Sequence, residues 1–474
     1  MADLSSTDIA STFGWDTVFG IHIREVNRAI IKAGSSPSAF KVDDVQDDVH
    51  VTGTFDPWQV TTGGDGDLIR LSIPISSMNL TVPMAAPYSG AATALVEVRL
   101  NFLPRQTIDT AVHELRVRTD AVSQQFPVVS VLSVSYSQAP PEFTGLAALS
   151  ALLDTWLNAN LGDFEHVFAT VDLNRTADKK QFQWLQPTSV AYAYSDATTP
   201  GDGVLGVLCM TQGRSATGLI QQLSTQVIPA NLTAAFLISK ERLLSNLVLP
   251  TMPQVFGGSN LADFSLAADG ESISTLSDAG IPFTVTTTKS DGSQDKTSSH
   301  LQSLTITVEA TELQMSAVTK SDVSPGIEAY CQTQNFLGVK LVDRPDGEQT
   351  LTFFEARPSI QNKWNTTSEG ITIAEEVLGV IALVAMVVLA VVSGGTAIAA
   401  AALVIGMVSG VAGGAMLITT AVLEMVKGGE APAITDMVLD TTAPIVWADT
   451  ADFKLSAARL NDSLQLVGDL KAGD

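Results

Sequence analysis

An uncharged apolar stretch constrains this chain more than any other feature of its sequence. Val377–Leu423 runs for 47 residues without Asp, Glu, Lys, Arg or His. It is too long for one membrane-spanning helix, which needs about 20 apolar residues. The turn-like segment Ser393–Thr396 divides it into the arms Val377–Val392 and Ala397–Val426. The pattern predicts an apolar helical hairpin, either inserted in lipid or buried inside protein.

Small residues recur every four positions along the second arm. They are Ala402, Gly406, Gly410 and Gly414, which share one face of a helix. Small residues on one face let two helix backbones approach closely. We therefore expect this face to pack against the first arm.

The residues that flank the apolar stretch do not settle its surroundings. Glu375 and Glu376 precede it, and Glu424 and Lys427 follow it. Neither side carries an excess of Lys and Arg, and Trp and Tyr are absent from both ends, so the usual signs of a membrane span are missing. Three alternatives remain: shielding within a soluble assembly, conditional membrane insertion, or a constitutive integral hairpin.

Length and charge limit the possible classes of protein. A chain of 474 residues should hold roughly two or three domains. Its net charge of −24 argues against nucleic acid as a partner and against adhesion to anionic lipid headgroups by charge alone. The N-terminus has neither the basic region nor the apolar stretch of a signal peptide. We expect a cytoplasmic protein, released, if at all, by a non-classical route.

No residue pattern in the sequence identifies a reaction. The motifs of zinc proteases, serine hydrolases and phosphate-binding loops are absent, and the five histidines are not spaced as metal ligands. Cys209 and Cys331 form no disulfide framework and are expected to be buried thiols. The sequence therefore predicts a protein that is not an enzyme and has no catalytic site, no metal site and no cofactor.

Alternating apolar and polar residues predict long strands with one buried face between Val49 and Tyr136, and again between Phe283 and Val318. An amphipathic helix is predicted over Thr144–Leu161. The apolar positions of the first strands include Ile69, Leu71, Ile73, Val96, Val98 and Leu100.

Two segments of the chain have similar sequence patterns. Phe19–Ile30 and Phe236–Leu247 both read as a strand, a polar cap and an amphipathic helix, and both precede alternating strands. They are either two copies of one module or a chance similarity. The module interpretation predicts a first module over 1–215, a second over 216–370, the apolar hairpin over 371–428, and a return to the second module over 429–474.

Several segments resemble a known family. Phe13–Gly20, followed by Val26–Ile30, resembles the start of the forty-seven-kilodalton and OrfX proteins of clostridial botulinum neurotoxin gene clusters. Trp184–Tyr194 and Leu205–Thr211 resemble the middle of those proteins. Ala235–Glu241 resembles the strand-to-helix junction of their second half.

The resemblance implies the tubular lipid-binding (TULIP) superfamily, an α+β fold in which strongly curved antiparallel sheets wrap long helices and enclose an apolar groove. It also implies a non-enzymatic accessory protein that binds a lipid, fatty acid or other apolar ligand and assembles with homologous subunits as a homo- or hetero-oligomer. Membrane insertion through Val377–Leu423 and a purely structural scaffold are the alternatives. The candidate groove residues are Ile69, Leu71, Ile73, Val96, Val98 and Leu100 on strands, and Leu243 and Leu247 on the second helix.

Overall fold

The fold is taken from a computed structural model. The structure describes residues 9–44, 48–83, 86–105, 111–118, 127–138, 143–175, 180–255, 259–276, 280–288, 294–324, 326–343, 349–367, 382–389, 402–409 and 442–472. Antiparallel strands dominate these residues. The two longest helices among them are α1 (Ile23–Ala33, 11 residues) and α2 (Phe143–Ala159, 17 residues).

The described strands follow in chain order. They are β1 (Thr17–His22), β2 (Ala39–Asp44), β3 (Val49–Phe55), β4 (Gln59–Asp65), β5 (Leu68–Thr81), β6 (Tyr88–Pro104), β7 (Val112–Val117), β8 (Val129–Tyr136), β9 (Ala169–Asp172), β10 (Pro187–Ser195), β11 (Val204–Thr211), β12 (Ala234–Ser239), β13 (Phe264–Leu266), β14 (Ser272–Thr275), β15 (Ile281–Thr288), β16 (Gln294–Glu309), β17 (Glu312–Ser324), β18 (Ile327–Asp343), β19 (Gln349–Thr367), β20 (Ala382–Leu389), β21 (Ala402–Ser409), β22 (Ile445–Trp447), β23 (Thr450–Leu460) and β24 (Ser463–Ala472).

A six-stranded central sheet joins the two halves of the chain in the order β10-β11-β1-β12-β24-β23. β1 and β12 are antiparallel neighbours, and Phe19 pairs with Phe236. These two residues are the matching first positions of the two similar segments, so the two segments meet about a local pseudo-twofold axis. The strands with which the two similar segments begin are therefore neighbours in the central sheet. The exact module boundaries remain a prediction.

A second sheet contains the strands expected between Val49 and Tyr136. Its order is β2-β3-β5-β6-β7-β9-β22, with β4 beside β5 and β8 beside β6. Along β5 and β6 the buried and part-exposed residues alternate, which confirms the predicted strands with one buried face. The late strand β22 pairs with β9, so the chain returns here to the first half as well as to the central sheet.

A third sheet contains the long strands of the second half, in the order β13-β14-β16-β17-β18-β19-β20-β21, with β15 beside β16. The strands β16 to β19 have 13 to 19 residues each. β20 and β21 form an antiparallel hairpin in which Ala382 pairs with Ser409 and Leu389 with Ala402. We call these two strands the apolar β-hairpin.

The predicted apolar helical hairpin is therefore wrong for the residues of that stretch that the structure describes. Both described parts of that stretch, Ala382–Leu389 and Ala402–Ser409, are strands. Of the predicted small-residue face, Ala402 and Gly406 lie in β21, where Gly406 pairs with Ala385. Gly410 and Gly414 lie outside the described residues. The strand-forming Val, Ile and Leu residues of both arms suit a sheet as well as a helix.

The expectation of long helices wrapped by sheets is also wrong. The second helical run has only four α-helical residues, α3 (Lys240–Leu243), before a π turn at Leu244–Val248 and a 3₁₀ turn at Leu249–Thr251. It ends with the short α4 (Met252–Val255). Pro250 lies in this run and removes a backbone donor, which accounts for the change of hydrogen-bond pattern. Short 3₁₀ turns also occur at Leu161–Asp163, Lys180–Leu185 and Leu261–Asp263.

The cap at the start of this short run was predictable. The Ser239 side chain accepts a hydrogen bond from the backbone N–H of Arg242 at 3.3 Å, and Ser239 itself is buried. Ser239→Ala is expected to lower the free energy of unfolding by about 1 kcal/mol, because a helix donor loses its acceptor. A urea titration measures this. An unchanged midpoint would show that the turn is held by packing alone.

Candidate functional site

The six strand residues proposed for the groove all lie in the interior. Ile69 pairs with Val98 and Leu71 with Val96 across β5 and β6. None of the six is more than 4% exposed, and all belong to one large core cluster: Ile69, Leu71, Ile73, Val96, Val98 and Leu100. The structure therefore brings them together on one wall.

Aromatic side chains of the first half belong to the same core cluster. Phe40 stacks on Phe55 with a centroid distance of 4.7 Å, and Trp58 stacks on Phe164 at 4.9 Å. Trp156 of α2 lies 5.5 Å from the Phe55 ring. These rings are buried against the sheet, so much of the first half's interior is occupied by its own side chains.

The two helix candidates lie in the second helical run. Leu243 is buried, and Leu247 is partly buried against the same core cluster. The run continues into α4, which lies close to β21 of the apolar β-hairpin. Leu243 and Leu247 therefore belong to a helical run that reaches the third sheet as well as the core.

The third sheet provides a second apolar wall. Its inward residues belong to the core cluster and include Leu301, Leu304, Ile306, Met315 and Leu337. The backbone of β20 approaches both β17 and β18, and β21 approaches β15. Among the described strands, β20 pairs in the sheet with β19 and β21 and not with β17 or β18. Its approach to β17 and β18 therefore means that the hairpin crosses their face. The apolar β-hairpin thus lies over the sheet that carries this wall.

Buried polar groups continue the wall beyond the apolar residues. The hydroxyls of Ser299 and Ser321 are 2.7 Å apart, and the Thr319 hydroxyl donates to the Cys331 carbonyl at 3.4 Å. Thr333 lies beside them, with its Oγ1 3.6 Å from the Cys331 sulfur. All of these residues are at least 98% buried. This face therefore changes from hydrocarbon to uncharged hydroxyl groups along the strands.

A buried charged cluster, which the sequence did not reveal as a site, lies where the two halves meet. Asp16, fully buried, accepts 2.8 Å bonds from the backbone N–H and hydroxyl of Thr211, and its other oxygen accepts from Arg214. Arg242 Nε is 4.0 Å from the same carboxylate. The Asp16 carbonyl accepts from the Ser239 N–H at 3.0 Å. We call Asp16, Thr211, Arg214, Ser239 and Arg242 the junction cluster.

Arg242 is held on its other side by neutral groups. Its Nη2 donates to the Trp184 carbonyl at 3.2 Å and to the Gln212 side chain at 2.5 Å, and its guanidinium lies 5.6 Å from the Trp184 ring centre. Burial lowers the pKa of Arg242 from its ordinary value, while the nearby Asp16 opposes that shift. This environment holds a cation in place.

Other chemical functions find little support in the described part of the chain. Cys209 and Cys331 are buried thiols, as predicted, and burial raises the pKa of Cys209 to about 12. No group of three metal-ligating side chains occurs within the described ranges. Of the helices that the structure describes, none has the length and apolar character to cross a bilayer.

Comparisons with known proteins identify the family. The sequence model described as OrfX-like, Protein OrfX2/OrfX3/P47, matches residues 12–468. Protein OrfX3 of Paraclostridium bifermentans is 30% identical, with 97% of this chain and 98% of the relative covered. Protein OrfX3 of Clostridium botulinum (strain Kyoto / Type A2) is 26% identical, covering 97% and 99%.

Solved structures agree on the fold. The structure of P47 from Clostridium botulinum A2 superposes with a TM-score of 0.63 over 97% of this chain and 98% of the other, at 15% identity. P47 of Clostridium botulinum E1 gives a TM-score of 0.60 over 97% and 100%, at 14% identity. With the family model matching almost the whole chain, this protein belongs to the OrfX-like family of OrfX2, OrfX3 and P47 proteins.

Proposed function

We propose that this chain is a non-enzymatic accessory protein, like those of neurotoxin gene clusters, which binds a lipid or other apolar ligand and assembles with related subunits. The observation that carries the ligand proposal is the apolar β-hairpin lying over the third sheet. A hairpin from an uncharged 47-residue stretch, set over an apolar wall, supplies the second side of a site for a hydrocarbon chain.

The residues of the wall favour one type of apolar ligand. Leu304, Ile306 and Met315 present hydrocarbon, whereas Ser299, Ser321 and Thr333 present hydroxyl groups. A buried carboxylate or ammonium group would need a charged partner or several donors. We infer an amphiphile whose polar end is uncharged, with its chain toward Leu304 and its polar end toward Ser321.

The helix candidates fit this location better than the strand candidates do. Leu243 and Leu247 belong to the run that reaches β21 through α4. Ile69, Leu71, Ile73, Val96, Val98 and Leu100 share a core with the aromatic rings of the first half. We therefore propose the third sheet, which β20 and β21 approach, as the primary site.

A filling substitution tests the ligand proposal. Ala317 is 1% exposed on the inward face of β17, between Leu304 and Thr333 in the pairing register. Ala317→Phe is expected to reduce co-purifying lipid and the affinity for a fluorescent monoacylglycerol by about tenfold or more, because the ring occupies the space beside the wall. Native mass spectrometry and lipid extraction of detergent-free protein measure the first quantity.

Ser316→Phe is the matched control, because Ser316 directly precedes Ala317 in β17 and lies on the other face, partly exposed. Circular dichroism establishes that both variants fold, and Ala317→Leu offers a smaller filling if the Phe variant does not. If wild-type protein carries no lipid and binds no labelled amphiphile, the proposal fails.

A purely structural scaffold is the second candidate. It is favoured by the packed rings Phe40, Phe55, Trp58 and Trp156, which fill part of the core cluster with the chain's own side chains. Lipid-free, soluble protein in the same experiment would support this candidate. Membrane insertion as a helical hairpin is not proposed, since the described parts of that stretch are strands.

A further inference from the structure

The outward face of the third sheet carries aromatic and uncharged polar side chains in a regular array. β17, β18 and β19 pair without a register shift over residues 316–320, 330–334 and 360–364. Residues paired across neighbouring strands lie on the same face, and along each strand they alternate with residues of the other face. The outward side chains of these segments form three rows, which we call the outward patch: Lys320–Tyr330–Trp364, Val318–Gln332–Asn362 and Ser316–Gln334–Ile360.

An aromatic pair lies at one end of the outward patch. The rings of Tyr330 and Trp364 stack with a centroid distance of 5.4 Å and an interplanar angle of 5°, and Trp364 is 39% exposed. The Tyr330 hydroxyl donates to the Glu328 carboxylate at 2.9 Å, and Lys320 Nζ lies 2.6 Å from the other oxygen of that carboxylate. The tyrosine is thus held in place, and its ring holds the tryptophan. A side chain that is already ordered loses little rotamer entropy when a ligand stacks on it.

Amide side chains follow the aromatic pair along the strands. Gln332 and Gln334 are partly exposed and Asn362 is exposed, and no side-chain hydrogen bond within the described residues engages their amide groups. Each amide offers two N–H donors and one carbonyl acceptor. In the free protein these groups bond to water, which a ligand rich in hydroxyl groups can replace without loss of hydrogen bonds.

The charge of the outward patch limits the class of ligand. Lys320 is its one charged side chain, and Glu328 neutralises it. A chain with a net charge of −24 repels anionic ligands at long range. Val318 and Ile360 are its only aliphatic side chains, whereas the centre of a protein–protein interface is more apolar than this. The patch therefore suits a neutral ligand rich in hydroxyl groups better than an acidic ligand or a protein.

We propose that the outward patch binds a neutral oligosaccharide. The C–H groups on one face of a pyranose ring stack on the negative π face of Trp364. Hydroxyl groups of the following sugar rings exchange hydrogen bonds with Gln332 and Asn362, and then with Gln334. From Trp364 to Ile360 the strand rises about 13 Å, enough for a short linear oligosaccharide that lies along the strands. This inference goes beyond the proposed function, because the apolar site lies on the inward face of the sheet.

Binding measurements on the full chain test the proposal. The neutral probes are linear hexasaccharides of glucose, mannose and N-acetylglucosamine, and the acidic probe is the hexasaccharide of galacturonic acid. Saturation-transfer NMR detects weak binding, and titration calorimetry gives the dissociation constant. We expect at least one neutral probe to bind, and the acidic probe to bind about tenfold more weakly than that neutral probe or not at all.

Substitutions of Trp364 separate stacking from simple apolar contact. Trp364→Ala and Trp364→Leu should each weaken binding of the best neutral probe by about tenfold or more, because neither replacement has a π face, whereas Trp364→Tyr should keep most of the affinity. Phe354→Ala is the matched control, since Phe354 is equally exposed, at 40%, nearer the start of the same strand. It should leave the dissociation constant unchanged.

A second set of variants tests the amides and separates the two faces of the sheet. Gln332→Ala should weaken the sugar about threefold or more, and it also serves if the Trp364 variants do not fold. Ser316→Phe places a ring within the outward patch, so it should weaken the sugar and spare the co-purifying lipid. Ala317→Phe, on the inward face, should do the reverse. Failure of one proposal is therefore distinguishable from failure of the other.

Several results would overturn the assignment. Wild-type protein that binds none of the neutral probes rules out the sugar. Unchanged affinity in both W364A and Q332A places the sugar elsewhere on the molecule. Wild-type affinity in W364L shows an apolar contact instead of stacking, and stronger binding of the acidic probe shows a contact driven by charge.

Discussion

Asp16→Ala is expected to lower the free energy of unfolding by about 3–5 kcal/mol. The substitution removes the carboxylate that accepts from Thr211 and Arg214. It also leaves the guanidinium of Arg242, 95% buried, without its compensating anion. A buried charge without a partner costs more than the lost hydrogen bonds themselves.

The expected effect is large because the junction cluster connects three separate segments. Asp16 precedes β1, Thr211 ends β11, and Arg242 lies in the helical run after β12. These three strands are adjacent in the central sheet. Loss of the carboxylate therefore loosens the place where the two halves of the chain meet, and both halves should become easier to unfold together.

Urea titration followed by tryptophan fluorescence measures the loss. Asp202→Ala is the control, since Asp202 pairs with Arg24 at 2.8 Å but both side chains are at least one-third exposed, so its effect should stay below about 1 kcal/mol. The double variant D16A/R242M should recover part of the stability by removing the orphaned cation. Equal losses for D16A and D202A would contradict the role assigned to the cluster.

Local sequence patterns predicted the local parts of the fold. The alternation over Ile69–Ile75 correctly predicted strand β5 and the face of it that is buried. Apolar residues at every second position lie on one face of a strand but not on one face of a helix. A glycine directly after an apolar helical pattern is typical of a helix end, and Gly34 lies at the end of α1 with φ 56°, where a side chain is disfavoured. The similar segments Phe19–Ile30 and Phe236–Leu247 begin in the paired strands β1 and β12, although their similarity did not by itself predict that pairing.

The apolar stretch was misinterpreted because its chemistry is ambiguous. The absence of charge indicates burial but does not indicate the type of secondary structure, because Val, Ile and Leu occur in both buried strands and buried helices. A spacing of four residues, as between Ala402 and Gly406, is also an even number and so fits one face of a strand. Strand pairing with β19 depends on residues far away in the sequence, and no local pattern records it.

The junction cluster shows the other limit. Asp16 stands in the Gly-Trp-Asp-Thr-Val segment that carries the family resemblance, yet its partners Thr211 and Arg214 are 195 and 198 residues away. A single sequence does not say which arginine meets which aspartate. The useful signal was the position of Asp16 directly before a wholly buried strand, where an ionised side chain must find a cation.

His166 provides the second large effect, and it is an acid-dependent one. The ring is 98% buried, its Nδ1 lies 2.9 Å from the Ser35 hydroxyl, and its Nε2 has no partner among the described residues. Phe168 packs edge-on against it at 4.8 Å. Burial, assisted by the positive charge of Arg116, lowers the pKa of His166 to about 4. A second proton would place an N–H in an apolar slot without an acceptor.

The sign of the pH dependence follows from that shift. In the unfolded chain the pKa is about 6.5, so between pH 6.5 and 4 the unfolded state binds a proton that the folded state does not. Stability from this residue is complete above pH 6.5 and falls by about 3 kcal/mol by pH 4. Urea titrations at pH 7, 5.5 and 4 should show that His166→Gln removes about this much of the acid-induced loss.

His50→Gln distinguishes a specific effect from general acid sensitivity. The hydrogen bonds that the His50 ring donates to the carboxylates of Asp43 and Asp48 raise the pKa of the exposed His50, so its contribution is present in acid and lost at higher pH, opposite to that of His166. H50Q should therefore keep the steep acid loss, and H166Q should flatten it. If both variants follow the wild-type curve, His166 gains a proton without unfolding, which requires an acceptor to reach Nε2. The same pair of curves thus separates a buried neutral imidazole from one whose surroundings rearrange in acid.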